Sequence, residues 1–153
     1  MSIVEGYRLE PMVGDPDDHR PGSEWALVVD PGDAEGRVDD LAVIVERIGP
    51  GERIPLHVHR VNEVILAHGP GRFRLGDEER AVDAGAVVFV PAGMAHGFLN
   101  DGPAPLPLQA VFPTTRVWLR YLERNGLPGM ETDAPAGAAT YDLRTGAVEF
   151  DPT

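Results

Sequence analysis

The chain has 153 residues, 42% of them apolar and 25% charged, which is the balance of a soluble folded protein and the length of one domain, here 1–153. Its 25 acidic residues outweigh 13 basic ones for a net charge of -12, a surface that repels phosphate backbones and argues against a nucleic-acid partner. All the basic residues are Arg and none is Cys, so lysine Schiff bases, disulfides and thiolate clusters are excluded, and any metal must be held by nitrogen and oxygen.

The opening "MSIVEGYRLE" has neither a basic leader nor a long apolar run, and no segment reaches the roughly 18 apolar residues of a membrane span. A cytoplasmic location without a membrane partner is expected. The stretch "PMVGDPDDHRPGSE" reads as an acidic loop in which His19 is solvated. Short apolar runs follow, "WALVVD", "LAVIVERI", "ERIPLHVH", "NEVILAHG", "RFRLG", "AVVFV", "HGFLN" and "LQAVF", separated by turn-formers such as "DPGDAEG", "GPGE" and "NDGPAPLP". Runs of this length between Gly/Pro turns predict an all-β sandwich or barrel. Leu41 to Val45 is apolar on both parities and is expected in the centre of a sheet covered on both sides, whereas Phe73 and Leu75 alternate with Arg72 and Arg74 as in a half-buried strand. In "VWLRYLERNG", Val117, Trp118, Tyr121 and Leu122 fall at helical spacing before Asn125-Gly126 and Pro128, which predicts a short helix, with a strand as the alternative. The final "TYDLRTGAVEF" predicts a hairpin turning at Arg144-Thr145-Gly146.

Two segments carry chemistry. In "HVHRVNE", His57 and His59 share a strand face and Glu63 has the same parity, so three potential ligands can converge; an isolated HxH on a solvated face would read the same way. In "GAVVFVPAGMAHGFLN", an apolar strand ends at Pro91 and a turn at Gly93, and His96 opens the returning strand ahead of Phe98 and Asn100. Were the two hairpins packed face to face, His96 would supply a fourth ligand. Imidazole and carboxylate suit Fe(II), Mn(II), Ni(II), Cu(II) or Zn(II).

These residues resemble the two motifs of the cupins. The first runs from Gly51 through His57, His59 and Glu63, and the second from Gly85 through Pro91, Gly93 and His96 to Asn100, so the motif core is 51–100. Pro70 stands where the glycine closing the first motif is expected, between Gly69 and Gly71, which points to a changed turn. The resemblance implies a double-stranded β-helix, or jelly roll, with a short C-terminal helix or extension. It also implies a divalent metal on His57, His59, Glu63 and His96, with coordination positions left open for a ligand. The implied activity is that of a metal-dependent enzyme on a small organic molecule, foremost a dioxygenase-type oxidoreductase, in which Glu63 can also act as a base. Isomerase, decarboxylase or lyase chemistry is one alternative and a non-catalytic metal or ligand-binding module another. Ile65, Phe73, Phe98 and Gln109 are candidate substrate contacts, His68 has the wrong parity for a ligand, and Trp118 and Tyr121 are assigned to the barrel mouth or a dimer interface. Resemblance to small cupins further implies a homodimer, paired through edge or terminal strands.

Overall fold

The computed structural model describes residues 5–12, 15–29 and 38–152. The turn-former run Asp30 to Gly36 therefore lies outside the described residues, as do Met1 to Val4 and Val13-Gly14 of the acidic loop. The strands are β1 (Glu10–Pro11), β2 (Glu24–Val29), β3 (Ala42–Ile48), β4 (Arg53–His59), β5 (Glu63–Ala67), β6 (Gly71–Leu75), β7 (Glu78–Val82), β8 (Val87–Val90), β9 (His96–Leu99), β10 (Leu106–Phe112), β11 (Arg116–Tyr121), β12 (Ala139–Asp142) and β13 (Val148–Phe150). They form a six-stranded sheet in the order β1-β2-β3-β10-β5-β8 and a seven-stranded sheet in the order β13-β12-β11-β4-β9-β6-β7. Every strand pairing is antiparallel, and the two sheets make a double-stranded β-helix.

Alternation explains which side chains enter the barrel. Leu106, Leu108, Ala110 and Phe112 of β10 are buried inward and meet Ile65, Phe73 and Phe98 in the main core. Each such aromatic or branched aliphatic chain contributes about 1.5–3 kcal/mol by leaving water. On β3, Ala42, Ile44 and Ile48 join that core, while Val43 and Val45 face the other way and pack with Ala26, Val28 and Leu9. Both faces of β3 are thus covered, as the unbroken apolar run predicts; Leu41 itself precedes the strand and is exposed.

The helix expected near Trp118 is corrected: β11 is a strand, and no described residue is helical. Its backbone is claimed on both flanks, with Leu119 opposite His59 of β4 and Trp118 opposite Thr140 of β12. Six residues of isolated helix are marginal, and two neighbouring strands outweigh so weak a local preference. The working period is therefore two. Val117, Leu119 and Tyr121 point into the barrel, and Trp118 lies outside beneath Arg60, whose guanidinium carbon is 3.9 Å from the ring centroid. The terminal hairpin forms as expected, with Ala139 opposite Phe150.

The changed turn at Pro70 has a steric cause. A Cβ at Gly71 would lie 2.6 Å from Phe98 Cε1, so the residue that must be glycine is Gly71, after the proline. Gly85 and Gly93 adopt φ of 89° and 79°, as their turns require. Asn100, at the end of the second motif, is a buried latch: its Nδ2 donates to Ile48 O at 2.9 Å, Gly49 O at 3.1 Å and Ala104 O at 2.9 Å.

Candidate metal centre

His57 and His59 end β4, and a bulge sets their direction. Ile54 pairs with Phe98 and His57 with His96, so one extra residue is taken up at Pro55-Leu56, where proline has no N–H to give the ladder. The inward parity flips there, from Ile54 to His57 and His59. β4 and β9 are neighbours in one sheet, not facing hairpins, and His96 lies directly across from His57. Glu63 opens β5 in the other sheet and reaches the imidazoles across the barrel. All four side chains are buried, and one ligand atom from each lies within 4.8 Å of the others.

Each imidazole is held from behind. His57 Nδ1 donates to Pro55 O at 2.7 Å, His59 Nδ1 to Trp118 O at 3.2 Å and His96 Nδ1 to Met94 O at 3.0 Å. A carbonyl can only accept, so in its neutral form each ring would carry the proton on Nδ1 and turn the Nε2 lone pair inward. That arrangement orients histidine for a metal. It also creates a conflict that a cation resolves. His57 Nε2 and His59 Nε2 are 3.1 Å apart, acceptor facing acceptor, and His96 Nε2 lies 2.8 Å from Glu63 Oε2, a contact that needs a proton or a cation between the two atoms. A proton is disfavoured between the first pair: burial, reinforced by His96 and His59, holds His57 well below the ordinary imidazole range, and burial lowers His59 too. The donor set therefore fits a divalent metal ion, without selecting which one.

The centre opens into a cavity of about 610 Å³, within the size range of small-molecule sites. Apolar side chains such as Ile44, Ile54, Ile65, Leu108, Val117 and Leu119 form most of its wall.

Residues 44–112 match the family model for the cupin domain. The fold is similar to that of the polyketide cyclase RemF from Streptomyces resistomycificus, with a TM-score of 0.63 and 20% identity over 83% of this chain and 87% of that one. It is also similar to that of a cupin-superfamily sugar phosphate isomerase from Silicibacter pomeroyi, with a TM-score of 0.60 and 21% identity over 86% and 78% of the two chains. The match spans a little under half of the chain, and the fold around it is a cupin-like jelly roll. A 65-residue stretch of the chain is also 32% identical to mannose-1-phosphate guanylyltransferase 2 of Escherichia coli O157:H7; it makes up 42% of this chain and 14% of that protein's length.

Of the other residues singled out in the sequence, Ile65 and Phe98 line the cavity. Phe73 stands behind them, with its ring centroid 5.5 Å from that of Phe98 and 6.4 Å from that of His96. Gln109 is on the outer face of β10, because Leu108 and Ala110 take the inward positions, and its Oε1 is 3.0 Å from Nε2 of the exposed His68. Trp118 and Tyr121, grouped in the sequence, part company. Trp118 Nε1 donates to Asp151 outside, whereas the Tyr121 ring lies inside, 5.9 Å from His57.

The sequence reading missed the charged part of the wall. The acidic loop is not solvated over 17–20: Asp17, Asp18 and Arg20 are buried, and His19 is half-buried. Arg20 grips Asp18 through Nε at 2.8 Å and Nη2 at 2.7 Å, and Arg124 pairs with Asp17 at 2.8 Å. These pairs allow carboxylates to leave water. Tyr121 donates its hydroxyl to Asp18 Oδ2 at 3.2 Å, and Glu46 Oε1 lies 3.6 Å from Arg20 Nη2. Burial pushes the Glu46 carboxyl up against the pull of Arg20, and Asp18 and Glu63 add to the rise. Glu46 carried a legible signal, since it shares the inward parity of Ile44 and Ile48. Arg20 carried none, because a loop has no period.

Proposed function

We propose that this cupin is a metal-dependent enzyme that transforms a small, largely apolar organic molecule inside its barrel. The convergence of three imidazole nitrogens and one carboxylate on the floor of an apolar cavity carries this reading. His57, His59, Glu63 and His96 would hold Fe(II), Mn(II), Ni(II) or Zn(II), and the ion would supply Lewis acidity toward substrate oxygens together with, for a redox-active metal, a place for dioxygen. Dioxygenase-type oxidation is the first chemistry this donor set suits. Ile65 and Phe98 pack the substrate, Phe73 holds Phe98 in place, and Glu63 is the ligand able to accept a proton. Gln109, on the outer face, has no part in substrate contact.

One observation favours a second reading, redox-neutral isomerase, lyase or decarboxylase chemistry. Glu46 is a buried carboxyl with a raised pKa in the wall of the same cavity, which is how a general acid or base is tuned toward neutral pH. Two proteins of similar fold are described as a cyclase and an isomerase, an analogy of fold only.

On the same footing we place the protein in the cytoplasm, without a nucleic-acid partner. No helix among the described residues is long and apolar enough to cross a membrane. We also propose a homodimer, formed where β8 and β13 expose Val87, Phe89 and Phe150 at sheet edges; light scattering at the monomer mass would refute it.

The test is metal analysis of the purified protein and of His57→Ala and His96→Ala, followed by oxygen uptake and anaerobic turnover with diketones, catechols and amino-acid-derived acids. Stoichiometric metal lost in both variants supports the centre. Oxygen uptake supports oxidation, anaerobic turnover supports the second reading, and neither with any substrate leaves a metal-binding module.

A further inference from the structure

Arg20 has donors that nothing in the wall uses. Its side chain is 2% exposed, yet its Nη1 has no hydrogen-bond partner among the described residues. Nε and Nη2 are spent on Asp18, and the remaining charged neighbour, Glu46, approaches Nη2. Guanidinium cannot shed its proton to escape burial, so an unused Nη1 retains two charged N–H donors away from water. Nature keeps such a group when something else bonds it. Arg20 lines the cavity that holds the metal centre, and Tyr121 links the two, with its ring against His57 and its hydroxyl on the carboxylate that grips Arg20.

We propose that Arg20 is the second anchor of the substrate, donating through Nη1 to a carbonyl or carboxylate oxygen of a molecule whose other end lies over His57, His59, Glu63 and His96. The substrate class is thus a compact, mostly apolar carbonyl compound. Asp18 is a positioning residue, since its bidentate grip fixes the guanidinium plane and leaves Nη1 as the free edge. This rests on the cavity being a substrate site, as proposed above.

The probes are acetophenone, benzoate and ethylbenzene, which share a ring and differ in the oxygen group. Binding is followed by fluorescence, because Trp25 lines the cavity and Trp118 lies outside it. The metal-loaded protein is expected to prefer an oxygenated probe over ethylbenzene by about tenfold or more, the scale of a hydrogen bond to a charged donor. Acetophenone as the preferred probe identifies a neutral carbonyl, and benzoate identifies a carboxylate. Arg20→Lys keeps a cation for Asp18 without the fork, and Asp18→Asn/Arg20→Gln removes both buried charges together in case the single change fails to fold. In either folded variant the preference should fall to within about twofold while the metal content holds. An undiminished preference in both variants, or none in the wild-type protein, overturns the anchor. Metal content separates this from the underlying reading: stoichiometric metal without a preference removes the anchor alone, whereas no metal in any form removes the proposed centre as well.

Discussion

Among the four candidate ligands Glu63 is the one carboxyl side chain and the one that comes from the six-stranded sheet, so Glu63→Gln tests whether a metal ties the two sheets together. Metal present at a hundred times its dissociation constant stabilises the wild-type fold by about 2.7 kcal/mol. For a chain of this size that is a rise in Tm of about 5–10 °C. Losing the charged ligand is expected to weaken binding about a hundredfold, by analogy with the losses seen even for outer partners of metal ligands. The same metal concentration then stabilises by only about 0.4 kcal/mol, a shift of about 1 °C.

Calorimetry with a chelator and again with excess Mn(II) or Zn(II) reads the metal-induced shift in each protein. The reasoning is refuted by a metal-induced shift in Glu63→Gln equal to that of the wild type.

Gly71→Ala should destabilise by about 1–3 kcal/mol in urea unfolding, because its Cβ would lie 2.6 Å from Phe98 Cε1 and 3.0 Å from the Leu99 carbonyl oxygen. Asn100→Ala strands three carbonyls at the root of the second motif and should cost about 2 kcal/mol or more, with the metal content unchanged if Asn100 is purely a latch. Burial and nearby Asp15 and Asp18 raise the phenols of Tyr121 and Tyr141, so the native state binds those protons more tightly than the unfolded chain does. Their contribution is complete below the unfolded value of about 10 and declines as the pH rises above it, so the denaturation midpoint should fall in that window. In Tyr121→Phe that alkaline decline should be shallower, and an unchanged slope would show that Tyr121 is not the titrating group.

What was legible in the sequence follows from period and stereochemistry. The strands around Ile44, Phe73 and Leu108 announce themselves by alternation or by unbroken apolar runs between turns, and His57, His59 and Glu63 share a parity that two-residue periodicity makes visible. Trp118 misled because Val117, Trp118, Tyr121 and Leu122 match a helical spacing over a stretch too short to tell it from a strand, and only the pairing with β4 and β12 decides. Gln109 misled because an amide between leucine and alanine is consistent with either face; the inward places on β10 belong to its neighbours. Arg20 was invisible because its burial depends, besides its neighbour Asp18, on Tyr121 and Glu46, which lie on two other parts of the chain, and no spacing encodes that meeting.

The division has a physical origin. The four candidate ligands sit where backbone constraints are strongest, on a proline-marked bulge, at the first residues of β5 and β9, and next to turns that require Gly85 and Gly93. Residue types at such positions are few, so a short motif suffices to describe them. The charged part of the wall is assembled from the 15–20 loop, from Glu46 in the middle of an apolar strand and from Tyr121 on β11, and each is held by side-chain bonds that many sequences could replace. A short motif bound to the backbone is therefore readable from the sequence, whereas groups held only by side-chain bonds are not. That is why the motif identifies the four candidate ligands and only the structure brings Arg20 into their cavity, and why the proposed substrate is better sought from Arg20, Asp18 and Glu46 than from the histidines.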